Sequence, residues 1–194
     1  MKAYRKLYDA EKFDTIREYI NNAIKKFPNN NAFVIKHKNG KEISYTNITY
    51  TMLGEDIKAL GTALIDCGLE NKRIAIIGKD RYEWCLSFVT ILCGVGITVP
   101  LDKGLPEQEI ILSLERAKVD GVIFEDEYVD IMKKVQSTNK NVKEFICMNS
   151  SCDGTFKTLD EYIEHSKDLI NSGDNRYECH EIDSNAVASI IFTS

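Results

Sequence analysis

The chain has 194 residues, with 25 Lys and Arg against 30 Asp and Glu, a formal net charge of −5. Its 43% apolar and 28% charged residues are the composition of a folded globular domain and exclude a disordered tail or a collagen-like chain. The length suits one domain, or one and a fraction. The acidic balance argues against sequence-independent nucleic-acid binding, which needs a surplus of Lys and Arg against phosphate.

No secretory signal is expected, because Met1 to Tyr19 is studded with charges and has no apolar core run. The longest uncharged stretch, Trp84 to Leu101, spans 18 residues and touches the lower limit for a membrane span. Ser87, Thr90 and Thr98 interrupt it, Gly94 and Gly96 break it and Pro100 follows. It reads as a buried helix running into a buried strand, so no transmembrane segment is expected. Cysteines stand at 67, 85, 93, 147, 152 and 179 with no CxxC among them, and His37, His165 and His180 are scattered. The expectation is free thiols in a reducing cytoplasm and no zinc site, which would need tighter ligand pairs.

In chain order, Phe13, Ile16, Ile20, Ala23, Ile24 and Phe27 recur at helical spacing, and Thr15 and Glu18 have the spacing of a capping box. Ala32 to His37 and Glu42 to Tyr45 flank Lys38-Asn39-Gly40-Lys41, which predicts a hairpin with Asn39-Gly40 supplying the positive φ of a tight turn. Leu53, Ile57, Leu60, Leu64 and Cys67 mark a second amphipathic helix, closed by Gly68 as its C′ residue. Arg73 to Gly78 has the charge-bounded apolar run of a strand buried on both faces. Arg81 to Cys93 reads as a helix with Cys85, Phe88, Val89 and Leu92 inward, and Ile97 to Leu101 as a strand. Pro106 starts a helix with Glu107 and Glu109 in its first turn. A strand over Asp120 to Phe124, a helix over Glu127 to Val135 and a strand over Val142 to Met148 complete a β-α-β-α-β-α-β series. That order predicts an α/β fold, a doubly wound and largely parallel sheet flanked by helices, preceded by a helix and a β-hairpin. Beyond it come a polar loop at Asn149 to Gly154, a helix over Leu159 to Ile170, a turn-rich stretch from Asn171 to Asp183 and a last strand over Ala186 to Phe192.

Few local patterns carry chemistry. There is no GxGxxG after the strand at 73–78, no GxxxxGK[ST] and no GxSxG. Glu125 and Asp126 stand at a strand end, where an α/β active site could lie, and are read as capping the next helix. Asp80 and Glu83 read as the start of a solvated helix. Trp84 reads as core, Tyr45 and Pro100 as packing and turn residues, and Asp102 as a helix-side cap or hydrogen-bond anchor. Composition and periodicity alone reach a soluble α/β domain, nucleotide binding being one use of that fold.

The ordered motifs go further. Ser44-Tyr45-Thr46, then Leu92 to Asp102 with its Pro-Leu-Asp ending, then Thr193-Ser194 resemble in order the first core motifs of the adenylate-forming (AMP-binding) superfamily. The resemblance covers essentially the whole chain. Arg81-Tyr82-Glu83-Trp84 resembles the Asn-x-x-Glu-Trp step of long-chain fatty acyl-CoA synthetases, with Asp80-Arg81 where Asn is commoner. The resemblance implies a parent acid–thiol ligase that joins a small-molecule carboxylic acid to coenzyme A through an acyl-adenylate, using Mg-ATP. An amino-acid-activating adenylation domain shares the Pro-Leu-Asp form and is the alternative within the superfamily; a non-catalytic α/β binding module is the alternative outside it. It also implies that residues 1–194 are the N-terminal part of the large AMP-binding domain, ending where the phosphate-binding loop begins. Thr193 and Ser194 would open that loop. The adenine, ribose, Mg²⁺-linked and catalytic Lys residues would lie outside the chain. On that reading the fragment is inactive and binds none of these molecules by itself, and no residue of it is assigned to catalysis or to a metal.

Overall fold

Four apolar runs in the middle of the chain line up as parallel neighbours, and their order fixes the rest of the architecture. In the computed structural model, which describes residues 11–149 and 152–193, the elements are α1 (Ile16–Lys26), β1 (Asn31–Asn39), β2 (Glu42–Thr49), α2 (Tyr50–Asp66), β3 (Lys72–Ile77) and α3 (Tyr82–Thr90). A π-helical turn (Ile91–Val95) leads to β4 (Gly96–Pro100), α4 (Glu107–Arg116), β5 (Gly121–Phe124), a 3₁₀ turn (Asp126–Tyr128) and α5 (Val129–Thr138). Then come β6 (Glu144–Cys147), β7 (Lys157–Thr158), α6 (Leu159–Asn171) and the single turn α7 (Arg176–Cys179). The five-stranded sheet has the order β4-β3-β5-β6-β7 and is parallel throughout. The fold is the doubly wound α/β fold that the sequence predicts.

Because β3 has a strand on each side and a helical layer on each face, its side chains alternate between two cores. Ile74 and Ile76 join Leu60, Leu64 and Leu86 beneath α2 and α3. Ala75 and Ile77 join Val99, Ile110, Leu114 and Met132 beneath α4 and α5. A strand buried on both faces has no polar face to alternate with, which is why it reads as a continuous apolar run.

The hairpin β1–β2 is antiparallel, with Asn39 opposite Glu42, so its loop is Gly40-Lys41. Gly40 alone carries the positive φ, at 61°; Asn39 belongs to the strand. Its outer face is open: Tyr45 is 61% exposed, a correction to the packing role read from the sequence. At the start of α1 the Thr15 hydroxyl accepts the Glu18 N–H, while the Glu18 carboxylate accepts the N–H of Asp14 in place of Thr15, so the capping box is half formed. The full box occurs at α6, between Thr158 and Glu161.

Two elements differ from the sequence reading. In α3 the residues that reach the core are Leu86, Ser87 and Thr90, followed by Ile91. Cys85, Phe88, Val89 and Leu92 are half-buried. Trp84 is half-buried as well, packed against the core with its ring stacked on Phe88 at 5.2 Å. Ser87 tolerates burial because its hydroxyl donates to the Glu83 carbonyl, 2.7 Å away. The second difference is at 186–192, where the expected strand reduces to one parallel bridge, Thr98 to Ser189. Thr98 N–H donates to Ala188 O and Ile190 N–H to Thr98 O. The next rung would need a donor at residue 100, and Pro100 has none. Ile191 is left 68% exposed and Phe192 40%.

The turn-rich stretch also hides a packing element. Tyr177 of α7 is buried against α2 so closely that a Cβ on Gly61 would lie 2.3 Å from its ring. The Arg17 guanidinium sits over that ring, 4.6 Å from its centroid. It also donates to Cys93 O at 2.8 Å and His180 O at 2.9 Å, tying α1 to the π turn and to α7. Replacing Gly61 by Ala is expected to destabilise the chain by about 1–3 kcal/mol, the range for overpacking a filled core. A urea titration followed by circular dichroism measures it, and Gly61→Ala combined with Tyr177→Leu should recover part of the loss.

Candidate active-site edge

In a parallel sheet all strands end on one edge, and in doubly wound folds ligands bind outside those carboxyl ends, where the crossover direction reverses. Here β3 leads to β4 on one side and β5 leads to β6 on the other. The reversal therefore lies between the segments that leave β3 (Gly78-Lys79-Asp80-Arg81) and β5 (Glu125-Asp126-Glu127).

Glu125 organises this point. It is 6% exposed, and its Oε2 accepts the backbone N–H of Lys79 at 2.8 Å. Its Oε1 lies 3.6 Å from the Arg81 guanidinium and 3.9 Å from the Lys79 ammonium. Gly78 makes room: a Cβ there would stand 3.1 Å from the Glu125 Cβ and 3.4 Å from its Oε2. Thus Glu125 does not cap the following turn with its side chain; it reaches back across the sheet edge. The capping role read from the sequence is replaced by a clamp between two strand ends.

Around that clamp the charges are matched. Arg81 Nε lies 2.6 Å from Glu83 Oε2, and the Glu83 hydrogen bond, with further carboxylates nearby, holds the guanidinium above its ordinary range. Lys79 Nζ lies 3.1 Å from Glu127 Oε2, whose hydrogen bond likewise raises the ammonium. Lys103, beyond β4, pairs with Asp80 at 3.5 Å. Asp80 itself is almost wholly exposed, as a solvated helix start requires, whereas Glu83 is drawn in by Arg81. The Tyr128 hydroxyl donates to Lys103 O at 2.8 Å, so the loops after β3, β4 and β5 are bonded into one rim.

Asp102 accepts the Gly104 N–H at 2.6 Å, and its carbonyl accepts the Leu105 N–H at 3.2 Å. It anchors the turn, while the N-cap of α4 is Pro106. Pro100 is the last residue of β4, paired with Ile76. Beside this turn lies a cleft of about 520 Å³ lined by Pro100, Leu101, Asp102, Arg116, Phe192 and Thr193 among others. Thr193 is exposed at its mouth. Ser194, the second residue expected to open a phosphate loop, lies outside the described residues. The structure thus brings Thr193 beside the Pro-Leu-Asp turn. Ser44-Tyr45-Thr46 stays on the exposed hairpin, where Thr46 Oγ1 is 2.9 Å from His37 Nε2.

Sequence reasoning missed the Lys79–Arg81–Glu125 clamp. Its signal was present, a glutamate directly after one buried strand and two cations directly after its neighbour. Among the described residues no group of three or more His, Cys, Asp or Glu is placed to hold a metal ion, and no helix is long and apolar enough to cross a membrane.

A family sequence model described as AMP-binding enzyme matches residues 20–194. The medium-chain acyl-CoA ligase ACSF2 of mouse (Mus musculus) mitochondria is 25% identical over 128 residues, 62% of this chain and 20% of that protein. The human (Homo sapiens) mitochondrial acyl-coenzyme A synthetase ACSM3 is 23% identical over 171 residues, 87% of this chain and 28% of that protein. The chain therefore spans about a fifth to a quarter of the length of these curated relatives. Among solved structures, the luciferase-like enzyme from the nonluminescent mealworm Zophobas morio superposes with a TM-score of 0.71 at 14% identity, over 96% of this chain and 41% of that one.

Tyr128 offers a check on the rim. Burial, with acidic neighbours, pushes its phenol up to about 12. Since the folded value is raised, the associated stability is complete below the ordinary phenol range near pH 10 and is lost as pH rises from there through about 12. Ultraviolet difference titration should find one phenol that ionises near pH 12 and is absent from Tyr128→Phe. That variant should lose about 0.5–1.5 kcal/mol, the net worth of one hydrogen bond. Glu125→Ala should cost about 1–3 kcal/mol by orphaning the Lys79 N–H, and Glu125→Gln, which keeps an acceptor, should cost less; chemical denaturation separates the two.

Proposed function

This chain belongs to the AMP-binding enzyme family, and from that premise we propose that residues 1–194 are the N-terminal part of the large domain of an ATP-dependent fatty acyl-CoA synthetase. The proposed reaction has two steps. A fatty-acid carboxylate oxygen attacks the α-phosphorus of Mg-ATP, forming the acyl-adenylate as the bond to pyrophosphate breaks. The coenzyme A sulfur then attacks the acyl carbon, and AMP leaves. ATP with its Mg²⁺, the acid and coenzyme A are all substrates of that cycle. In this reading the ion arrives on the nucleotide.

The observation that carries the reading is the position of Thr193, at the carboxyl edge of the sheet and beside the Asp102 turn. There its hydroxyl, followed by Ser194, would open a loop that aims donors at phosphate oxygens. The role of the remaining edge is to hold the platform: the Glu125 clamp and the Tyr128 bond fix the turns against which such a loop would close. The acyl-CoA part of the proposal rests on the names of the mouse and human relatives. Residence in a reducing cytoplasm belongs to the same proposal and rests on six free thiols.

The isolated chain should not exchange pyrophosphate into ATP with any fatty acid and should bind ATP weakly or not at all. Charge developing on the α-phosphate needs donors fixed in advance, and this chain supplies two residues of their loop. In the longer protein that continues past Ser194, exchange should depend on a fatty acid, and Thr193→Ala should slow it by about 10²-fold, the scale for losing one preorganised donor. Calorimetry with Mg-ATP and a labelled-pyrophosphate assay on both proteins make the test. Micromolar ATP affinity of the 194-residue chain, or full exchange by the Thr193→Ala protein, overturns the proposal.

A further inference from the structure

The amino ends of the parallel strands form a second edge, opposite the one that carries Thr193. β3 starts at Lys72, β5 at Gly121 and β6 at Glu144, and the three are neighbours in the sheet. The residues just ahead of them meet in a cleft of about 470 Å³ lined by Lys72, Lys118, Asp120, Lys140, Asn141 and Lys143 among others. Four ammoniums thus converge in a chain whose formal net charge is −5. The six residues of β3 set this cleft about 20 Å from the Lys79–Arg81–Glu125 clamp. That is well beyond the screening length of about 8 Å at physiological salt.

These charges are not matched as those of the carboxyl edge are. Lys72, Lys118 and Lys140 are exposed and have no ion pair or side-chain hydrogen bond among the described residues. Lys143 Nζ donates to Lys140 O at 2.6 Å. Asp120 is the one carboxylate among the described lining residues, and its Oδ2 accepts the Arg73 N–H at 3.0 Å. Neighbouring carboxylates are engaged elsewhere. Asp66 Oδ1 lies 2.7 Å from the Arg176 guanidinium, Glu70 Oε1 lies 2.8 Å from His180 Nδ1, and Glu144 Oε2 accepts the Tyr162 hydroxyl at 2.7 Å. The helices α2, α4 and α5 end at this edge, and cations balance helix ends of about half a negative charge each. Three such ends together with Asp120 still leave the four ammoniums in surplus. Lys118 adds an independent observation, since its backbone is left-handed, with φ 51°. Its N–H donates to Glu115 O and the Val119 N–H to Leu114 O, the paired bonds that close a helix around a C′ glycine. Glycine takes that backbone freely and a residue with a Cβ is disfavoured there. A lysine held in this conformation beside three others is placed for its charge rather than for ending the helix.

We propose that the amino-edge cleft is a binding site for clustered phosphates, such as a small anion carrying several phosphate groups. Lysine suits phosphate as a compact charge with rotatable donors, without the planar pairing that Arg offers a carboxylate. Asn141 adds an amide that can donate to a phosphate oxygen. Magnesium on a polyphosphate offsets the charge that these lysines would meet, so the metal-free anion is the fitting form and Mg-ATP a poor occupant. The site stands at the other end of the strands from Thr193 and does not depend on the acyl-CoA reading.

The test titrates the 194-residue chain with inorganic tripolyphosphate by calorimetry, at low salt and with EDTA present. Saturable binding is expected, weakening as salt rises toward physiological strength. Lys118→Glu with Lys140→Glu, which reverses two of the four charges, should weaken it about tenfold or more. Lys36→Glu with Lys38→Glu makes the same change of charge on the exposed hairpin strand β1 and should leave binding unaltered. Lys118→Gly should weaken binding about 2–5-fold, the scale of one exposed ion pair, while the chain resists urea at least as well as the wild type. Sedimentation with vesicles containing phosphatidylinositol bisphosphate assigns the source. Co-sedimentation that the Lys118 and Lys140 variant loses puts the phosphates on a lipid headgroup, and its absence puts them on a soluble anion. No saturable binding of tripolyphosphate overturns the proposal. So does equal weakening in the hairpin variant, which would mark attraction to net charge alone.

Discussion

The parallel ladder of β3 with β4 on one side and β5 on the other is the constraint from which the rest of the molecule follows. A strand with neighbours on both edges and helices on both faces must be apolar throughout, and β3 is buried from Ile74 to Ile77. Parallel pairing demands a crossover for every return, and the crossovers become α3, α4 and α5. It also sends every strand end to one side. The polar chemistry of the chain gathers there because the strands deliver their connecting loops to that edge.

Placing so many loops on one edge brings unlike charges close together, and the edge shows how they are reconciled. Glu125 is the costly member, a carboxylate withdrawn from water. Its acceptor capacity is met by a backbone amide and two cations. A paired buried carboxylate of this kind adds little net stability but penalises alternatives in which a partner is displaced. The exposed pairs, Lys103 with Asp80 and Lys79 with Glu127, add small increments that salt screens. The rim is therefore a device for holding loop geometry more than a source of folding energy.

How far the sequence discloses this depends on whether each feature leaves a pattern in hydrophobicity. The β-α alternation, the hairpin and the start of α4 leave such patterns and were legible. The inward face of α3 was not, for two reasons. Its buried positions include Ser87 and Thr90, which count as polar although the first satisfies its hydroxyl within the helix. The helix also kinks at Ile91–Val95, where Cys93 and Gly94 leave helical φ and ψ and Gly94 has φ 106°, so helical counting no longer applies at Leu92. Tyr177 was hidden in a polar stretch because one buried ring on one helical turn makes no period. Glu125 was ambiguous because a glutamate after a strand looks the same whether it caps the next turn or reaches back to the last one. At the edge, motif order drew attention to Thr193 and Asp102, whereas the Lys79–Arg81–Glu125 clamp appears only once β3 and β5 are neighbours.

Pro100 sits where β4 gives up its outer ladder, and its missing N–H acts as a stop between two kinds of backbone. Up to Thr98 the segment around Ser189 is held by paired amides and shares the rigidity of the sheet. Past Pro100 the same segment has no rung to climb, and Phe192 and Thr193 line the cleft beside the Asp102 turn. A residue with an amide hydrogen at position 100 would offer one more rung to Ile190 O and draw the departing backbone flat against β4. The sheet would gain a hydrogen bond and the cleft beside Asp102 would lose one wall. Regular structure is thus kept one rung short here, and the unpaired length that results is what allows the chain to leave the plane of the sheet.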